Sequence, residues 1–451
     1  MPGYANWKQL FDEELFQMRE EGYDLRDLPS YGDDRSFLLP FPGCEQPETD
    51  ADVWQKAYEQ LASRLSGPLR ADYPYTEPNG WEEILASAAP MPELEPLPDD
   101  EYVGRLRGAV YGRFAAVILG KPLEMGLRDK DVRAYLEGAD AWPLDDFVPA
   151  QSPGSGKSAR KDCIASTRGN IHYAQSDDDI HYTLLALLLA EKYGLDFKPE
   201  HVGRNWLDNI PYHWCWCASR QAYYHMINQV PVRQIPTLLN PWRECIDGQI
   251  RTDLWGYIAP GDPVKAALGA YRDCSFSLVK NGIYGGMFTA GCIAAALTAN
   301  PTVDRILDGG LAVVPQTSRL AEMVRLVRGW YRETPDRQTV CDRIMAAWGH
   351  LPFAATINNM AIVVLAILDG GMDYSKTITS AVCCGLDTDC NAGTAGSIIG
   401  AAVGIDGVDE RWYGCLNDTA KTAVASVGEI KISEIVRRID RVKEKLKSYD
   451  C

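Results

Sequence analysis

Small residues recur at intervals of four in three helix-like segments of this chain. Glycine inside a helix costs roughly 0.5–1 kcal/mol relative to alanine, so repeated glycines need a structural reason. The three stripes are Gly108, Gly112, Ala116 and Gly120; Gly286, Ala290 and Ala294; and Ala392, Gly396, Gly400 and Gly404. Residues four apart share one face of a helix, and small side chains there let two helices approach closely. The stripes therefore predict closely packed helices whose ends meet around a common point.

Helical periodicity dominates the chain after residue 98, whereas strand-like alternation over four or more residues is hard to find. One helix is predicted from Asp99 to about Leu119. The others are predicted at 181–193, 262–280, 286–298, 317–331, 337–348, 354–369, 374–383 and 429–447. We therefore predict an all-α fold with one large helical domain over 98–451.

Residues 1–97 are predicted to form a separate helical extension. Apolar residues follow helical spacing over 7–21 and 50–65. Prolines at 40–47 and again at 90–98 interrupt the pattern and suggest a boundary near residue 97. A lid, an oligomerisation arm and a passive extension are all consistent with this region.

The composition restricts the class of partner. A net charge of −17 argues against nucleic acid, because nucleic-acid-binding surfaces need basic patches. The longest apolar run, Met360 to Leu368, is far shorter than the roughly 20 residues that a membrane-spanning helix requires. The 13 cysteines are odd in number and lack framework spacing, which indicates free thiols in a reducing compartment. We therefore expect a cytoplasmic protein that binds neither membrane nor nucleic acid.

Two acidic turns carry the strongest chemical signal. Ser176-Asp177-Asp178-Asp179 and the pair Asp387/Asp389 each open an apolar helix, about two hundred residues apart. The helix dipole favours such carboxylates by only about 0.3–1 kcal/mol each. Partial burial costs more than that unless a cation is bound, so a shared cation site is predicted. Oxygen ligands suit Mg²⁺, Mn²⁺ or Ca²⁺ rather than zinc. Each turn taken alone is equally typical of a capped helix start.

Two further motifs are weak. Residues 153–158 (PGSGKS) suggest a phosphate-binding loop, but Gln151 stands where its first glycine belongs, so an exposed loop is predicted. Residues 213–217 (HWCWC) contain zinc-ligating residue types, but their spacing matches no paired zinc motif, and the aromatics favour a buried helix.

Residues 241–263 combine aromatic, arginine and aspartate side chains, and burying such charges in a simple core costs free energy. The run is therefore a candidate lining of a pocket. The glycine-rich turn at 281–286 then opens a helix, whose backbone N–H groups are suited to hold a phosphate or carboxylate. The candidate substrate-binding residues are Asp273, Asn281, Gly282, Tyr284 and Gly285. A plain glycine-rich connection explains the turn equally well.

Three motifs in the same order resemble those of the ADP-ribosylglycohydrolase family, which includes the dinitrogenase reductase-activating glycohydrolase. The family's G-D-A-L-G-x-P-x-E corresponds to residues 116–124 (AVILGKPLE). Its T-D-D-T corresponds to residues 176–179 (SDDD), and its G-G-D-T-D-T to residues 385–390 (GLDTDC). The resemblance extends over roughly 101–430.

The resemblance implies an orthogonal helical domain, a centre with two Mg²⁺ ions, and hydrolysis at the anomeric carbon of a ribose. It implies catalytic roles for Glu124, Asp178 and Asp387. The metal ligands that it implies are Ser176, Asp177, Asp178, Asp387 and Asp389. The substrate would be an ADP-ribose conjugate, either a small molecule or an ADP-ribosylated target. A nucleoside or other N-riboside, and a non-catalytic ribosyl-binding protein that holds a metal, are the alternatives.

Four departures from the family pattern bear on this reading. Cys390 and Asp179 replace threonines, Val117 replaces an aspartate, and Leu278 stands where a histidine is common. A neutral thiol is a poor Mg²⁺ ligand, so the choice between one and two metals stays open. The sequence leaves the oligomeric state open as well.

Overall fold

The computed structural model describes residues 5–25, 51–124 and 126–447. Over these ranges the chain forms twenty α-helices and three two-stranded sheets, which confirms the all-α prediction. The prolines at 40–47, the predicted helix start at Asp50 and the terminal Cys451 lie outside the described residues.

The helices are α1 (Trp7–Glu20), α2 (Ala51–Ala62), α3 (Trp81–Ala86), α4 (Asp99–Gly120), α5 (Asp129–Gly138), α6 (Asp178–Tyr193), α7 (Pro199–Asn209), α8 (Cys217–Ile227), α9 (Asp247–Arg251), α10 (Asp253–Tyr257), α11 (Pro263–Cys274), α12 (Lys280–Ala296), α13 (Val303–Leu311), α14 (Arg319–Glu333), α15 (Arg337–Trp348), α16 (Thr356–Gly370), α17 (Tyr374–Cys383), α18 (Thr388–Val403), α19 (Glu410–Tyr413) and α20 (Ile432–Lys447). The strands are β1 (Leu127–Arg128), β2 (Gln151–Ser152), β3 (Lys157–Ser158), β4 (Gly385–Leu386), β5 (Thr419–Lys421) and β6 (Glu429–Lys431). All three sheets are antiparallel, and they pair β1 with β4, β2 with β3, and β5 with β6.

Three sequence predictions differ from the structure in detail. The helix predicted over 262–280 ends at Cys274, and α12 begins at Lys280 rather than 286. The glycines of 281–286 therefore lie inside α12 instead of before it. Two of them, Gly285 and Gly286, face the close neighbours Thr356 and Cys274. The last predicted helix begins at Ile432, since residues 429–431 form β6. Of the exposed loop predicted at 153–158, residues 153–156 form the turn of the β2–β3 hairpin and 157–158 form β3.

Helices α4 and α18 pack against each other along their small residues. A Cβ on Gly108 would lie 2.4 Å from the carbonyl oxygen of Gly400, and one on Gly112 would lie 3.0 Å from that of Gly396. At the other end, a Cβ on Gly120 would lie 2.3 Å from the carbonyl oxygen of Thr388. The contact confirms the close approach predicted for the first and third stripes. It also sets the end of α4 against the start of α18.

The second stripe has different neighbours. A Cβ on Gly286 would lie 2.9 Å from the carbonyl oxygen of Gly248, and one on Gly256 would lie 2.8 Å from that of Ala290. Helix α12 therefore packs closely against the segment that carries α9 and α10. Its polar start at Asn281 hydrogen-bonds to Glu244, Glu77 and Leu320, so for this stripe the common point stays a prediction.

The extension packs against the rest of the chain through buried ion pairs. Arg243 contacts Glu14 and Glu21, each at 2.7 Å, and Arg319 contacts Glu77 at 2.7 Å. Glu14 and Arg243 are almost fully buried. The domain boundary near residue 97 stays a prediction. No helix of the described ranges is both long and apolar enough to cross a membrane.

Two glycines of α4 provide a matched test of the α4–α18 contact. Gly108→Ala should destabilise the protein by about 1–3 kcal/mol, because its Cβ has no room against the backbone of α18. Gly104→Ala should be neutral or stabilising by up to about 1 kcal/mol, because no atom lies within 4 Å of its added Cβ. Thermal unfolding of the two variants checks this. Equal melting temperatures would contradict the close packing.

Candidate active site

A short strand pairing brings the first and third motifs together. Leu127 pairs with Leu386 and Arg128 with Gly385, just after Glu124 and just before Asp387. Gly385 has a φ of +77°, and an added Cβ there would lie 2.3 Å from the carbonyl oxygen of Leu127. Only glycine satisfies both the left-handed backbone and the close approach. The pairing therefore fixes the distance between the end of α4 and the start of α18.

The carboxylates of the two acidic turns and of Glu124 form adjoining groups. Glu124, Asp387 and Asp389 have ligand atoms within 4.8 Å of one another, and so do Asp177, Asp178 and Asp179. The atoms of Asp179, Asp389 and Cys390 meet the same limit, which joins the two groups. Helices α4, α6 and α18 thus bring the sequence-predicted acidic residues to one place.

These carboxylates are crowded in a poorly solvated site. Asp177, Asp387 and Asp389 are buried, whereas Glu124 and Asp178 are partly exposed. Burial, together with the neighbouring carboxylates, raises the pKa of Glu124, Asp178 and Asp387 well above the usual range. The cluster therefore has more negative charge than its own cations balance.

Lys121 supplies a positive charge inside the cluster. Its side chain is buried and forms an ion pair with Asp177. Burial alone would lower the pKa of Lys121, but the carboxylates of Asp177, Asp389 and Glu124 raise it above its ordinary value. Conversely, Lys121 holds the pKa of Asp177 below its ordinary value despite burial. Asp177 is thus satisfied by the protein's own cation.

Two other polar contacts surround the cluster. Arg160 contacts Glu124 at 2.5 Å and leaves that carboxylate partly exposed. The oxygen of Ser176 lies 2.9 Å from Nε2 of His181, which also accepts the backbone N–H of Ala423 at 3.0 Å. Since Nε2 is an acceptor, the Ser176 hydroxyl donates to it, and its oxygen lone pairs stay available to a cation.

Asp387 indicates that a cation fits this site. Its Oδ1 is buried and has no hydrogen-bond partner among the described residues, and its side chain does not cap α18. An orphaned carboxylate oxygen in a dry site is costly, and a bound divalent cation would satisfy it. The surrounding donors are carboxylate oxygens, which is the ligand type that hard cations prefer.

The five predicted substrate-binding residues lie in other contacts. The backbone N–H and side-chain amide of Asn281 donate to Glu244 at 3.1 and 3.0 Å, so the start of α12 holds a carboxylate of the chain itself. The hydroxyl of Tyr284 donates to the carbonyl oxygen of Pro78. Asp273 accepts from Trp255 at 3.1 Å and pairs with Arg251 at 3.0 Å.

Glycines 282 and 285 are closely packed. A Cβ on Gly282 would lie 2.7 Å from the carbonyl oxygen of Arg243, and one on Gly285 would lie 2.6 Å from Cγ2 of Thr356. No described hydrogen bond joins any of the five residues to the acidic cluster. Their assignment to substrate binding stays a prediction.

Comparisons with known proteins give the family. The model of the ADP-ribosylglycohydrolase family matches residues 98–445, which is well over half of the chain. This chain belongs to the ADP-ribosylglycohydrolase family. One solved structure that is similar, an "ADP-ribosylglycohydrolase-related protein complex", has 14% identity and a TM-score of 0.45, and the match covers 76% of this chain and 99% of that one. No curated protein matches.

Two departures from the ADP-ribosylglycohydrolase pattern compensate each other. Asp179 pairs with Arg113 at 3.0 Å, and Cys390 donates its thiol to Asp179 Oδ2 at 3.1 Å. Arg113 also pairs with Asp253 at 3.1 Å, and all of these side chains are buried. The carboxylate and thiol that replace two threonines therefore bind each other and an arginine, and they do not add a free ligand.

Sequence reasoning missed the three basic residues of the site. Lys121 stands inside the quoted motif GKPLE, and Arg160 follows the glycine-rich hairpin. Arg113 is the one charged residue in the stretch 108–120 of α4, which was the clearest available signal. A charged residue at such a position needs a buried partner, but the sequence does not show which one.

Removing the Lys121 charge tests its role in the cluster. Lys121→Met should lower the melting temperature of chelator-treated protein, because loss of one partner of a buried ion pair costs about 3–5 kcal/mol. Added Mg²⁺ should raise that temperature more in the variant than in the wild type, since the variant lacks one cation. Lys130→Met on the exposed face of α5 is the control. Identical melting curves for Lys121→Met and the wild type would exclude the role.

Proposed function

We propose that this protein is a cytoplasmic, Mg²⁺-dependent hydrolase that cleaves the glycosidic bond at the anomeric carbon of ribose in an ADP-ribose conjugate. The observation that carries the proposal is the convergence of Glu124, Asp178, Asp387 and Asp389 on one partly open site with an orphaned buried oxygen. Family membership supports a glycohydrolase. The choice of Mg²⁺ and the substrate are our inference.

One Mg²⁺ site agrees better with the charges than two. Asp177 pairs with Lys121, and Asp179 pairs with Arg113, which also binds Asp253, so the group of Asp177, Asp178 and Asp179 is partly balanced by the chain. Asp387 has no cationic side chain of the described residues within ion-pair distance. Glu124, Asp387 and Asp389 would hold the ion, with Asp178 and the Ser176 oxygen beside it. When bound, Mg²⁺ would lower the pKa of a bound water and orient the ribose hydroxyls.

The chain's own carboxylates supply the remaining chemistry. Glu124 is partly exposed and so can reach a water beside the scissile bond, where it would act as general base. Arg160, which contacts Glu124, favours its ionised form and orients it. Positive charge develops on the anomeric carbon and ring oxygen during cleavage, and Asp178 and Asp387 would stabilise it once a bound cation keeps them ionised despite their raised pKa.

A nucleoside or similar N-riboside is the second candidate substrate. The helix start that would bind a pyrophosphate is occupied by Glu244, which favours a substrate without phosphates. An aromatic ring borders the site: Trp214 packs edge-on against His181, with ring centroids 4.9 Å apart. A partly exposed indole there is suited to stack on a base.

A substrate panel with one active-site variant tests the proposal. ADP-ribosyl-arginine, ADP-ribosyl-serine, ADP-ribose 1″-phosphate and several nucleosides would be incubated with Mg²⁺, with and without chelator. We expect chelator-sensitive release of ADP-ribose from one conjugate. Asp387→Asn should abolish release and reduce the stabilisation by Mg²⁺, because it replaces one charged ligand by a neutral amide.

Asp373→Asn is the matched control, since Asp373 is an exposed cap of α17 and asparagine caps equally well. Release from nucleosides alone would move the assignment to the second candidate. Turnover of Asp387→Asn at the wild-type rate would contradict the assignment of Asp387 to a metal site. If no compound of the panel is hydrolysed and Mg²⁺ does not change the melting temperature, the assignment as a hydrolase is wrong.

A further inference from the structure

A second group of potential metal ligands shares no residue with the carboxylate cluster. Cys217, Cys245 and Asp247 have ligand atoms within 4.8 Å of one another, and all three side chains are buried. They come from the start of α8, the segment before α9 and the first residue of α9. None of them is a family-motif position or a residue that the proposed hydrolysis uses.

The Asp247 carboxylate is held in place but only half satisfied. Its Oδ1 accepts from the backbone N–H of Ser219 at 3.0 Å and from the Ser219 hydroxyl at 2.5 Å. Its Oδ2 is buried and has no hydrogen-bond partner among the described residues. The nearest basic residue in the hydrogen-bond network, Arg251, contacts the Ser219 hydroxyl at 3.3 Å and forms its ion pair with Asp273. A buried, oriented carboxylate oxygen beside two thiols therefore lacks a partner.

We propose that Cys217, Cys245 and Asp247 form a binding site for Zn²⁺ that is distinct from the predicted Mg²⁺ site. Two thiolates and one carboxylate are a ligand set that Zn²⁺ accepts, with water in the fourth position. Mg²⁺ is excluded by the sulfur ligands. Binding displaces one proton from each thiol, and the ion's two positive charges leave the site with a net charge near −1. Ser219 fixes the carboxylate by hydrogen bonds from outside the site, as neighbours of metal ligands do.

The site has a route from solvent. Cys245 lines a surface groove between α1 and the segments 241–245 and 351–357. Glu13 and Glu20 of α1 line the same groove, and so does the pair of Glu244 and Arg319. A divalent cation would therefore reach the site from the side that Cys245 forms.

Cobalt substitution tests the site directly. Full-length protein would be treated with chelator under reducing conditions, desalted, and titrated with Co²⁺ in excess Mg²⁺. We expect a thiolate-to-cobalt charge-transfer band that saturates at a single ion per chain and disappears when Zn²⁺ is added. Absence of the band, together with less than stoichiometric Zn²⁺ in protein purified from zinc-supplemented cells, would overturn the proposal.

Variants locate the ion. Cys217→Ser with Cys245→Ser should remove the band, whereas Cys415→Ser, at a partly exposed thiol elsewhere, should keep it. Asp389→Asn should also keep the band, because Asp389 belongs to the other cluster; loss of the band there would overturn the separate site. Should the double variant fail to fold, Ser219→Ala keeps all three ligands and should weaken Co²⁺ binding roughly tenfold to a hundredfold. Unchanged affinity in Ser219→Ala would then contradict the proposed geometry.

Discussion

The contact between α4 and α18 is the constraint on which the candidate site depends. Gly108, Gly120 and Gly400 lie so close to the opposing backbone that no larger residue fits. This contact sets the end of α4 beside the start of α18, and the β1–β4 pairing then holds Glu124 next to Asp387. Close packing of the two helices offsets the cost of their glycines, and it brings together carboxylates that are far apart in sequence.

Once the carboxylates are brought together, charge balance determines the rest of the site. Lys121 and Arg113 neutralise Asp177 and Asp179, and the Cys390 thiol binds Asp179 as well. These contacts account for two of the four changed positions, Asp179 and Cys390, as a linked pair. Replacing one member alone would leave a buried charge unpaired, which is expensive, so the pair is expected to vary together.

The fold and the acidic cluster could be predicted because both leave regular marks in the sequence. Stripes of small residues indicated the α4–α18 contact, and the Asp-rich helix starts indicated the cluster. The partners of buried charges could not be predicted, since Arg113 binds Asp179 and Asp253 through contacts that no local pattern encodes. The glycines of α12 illustrate the same limit: their spacing indicated close packing, but not against which helix.

The helix starts at α12 and α18 show why a ligand site cannot be inferred from a helix start alone. Both carry a carboxylate, Glu244 at α12 and Asp387 at α18. Glu244 pairs with Arg319 at 2.8 Å and accepts from Asn281, so its charge is satisfied within the chain. Asp387 keeps a buried oxygen without a partner among the described residues. Because burial is costly for an unpaired charge, a cation from outside, as we propose, would stabilise the second arrangement, whereas the first is satisfied without one. Whether a carboxylate at a helix start is structural or binds a ligand therefore depends on whether the chain itself supplies its partner.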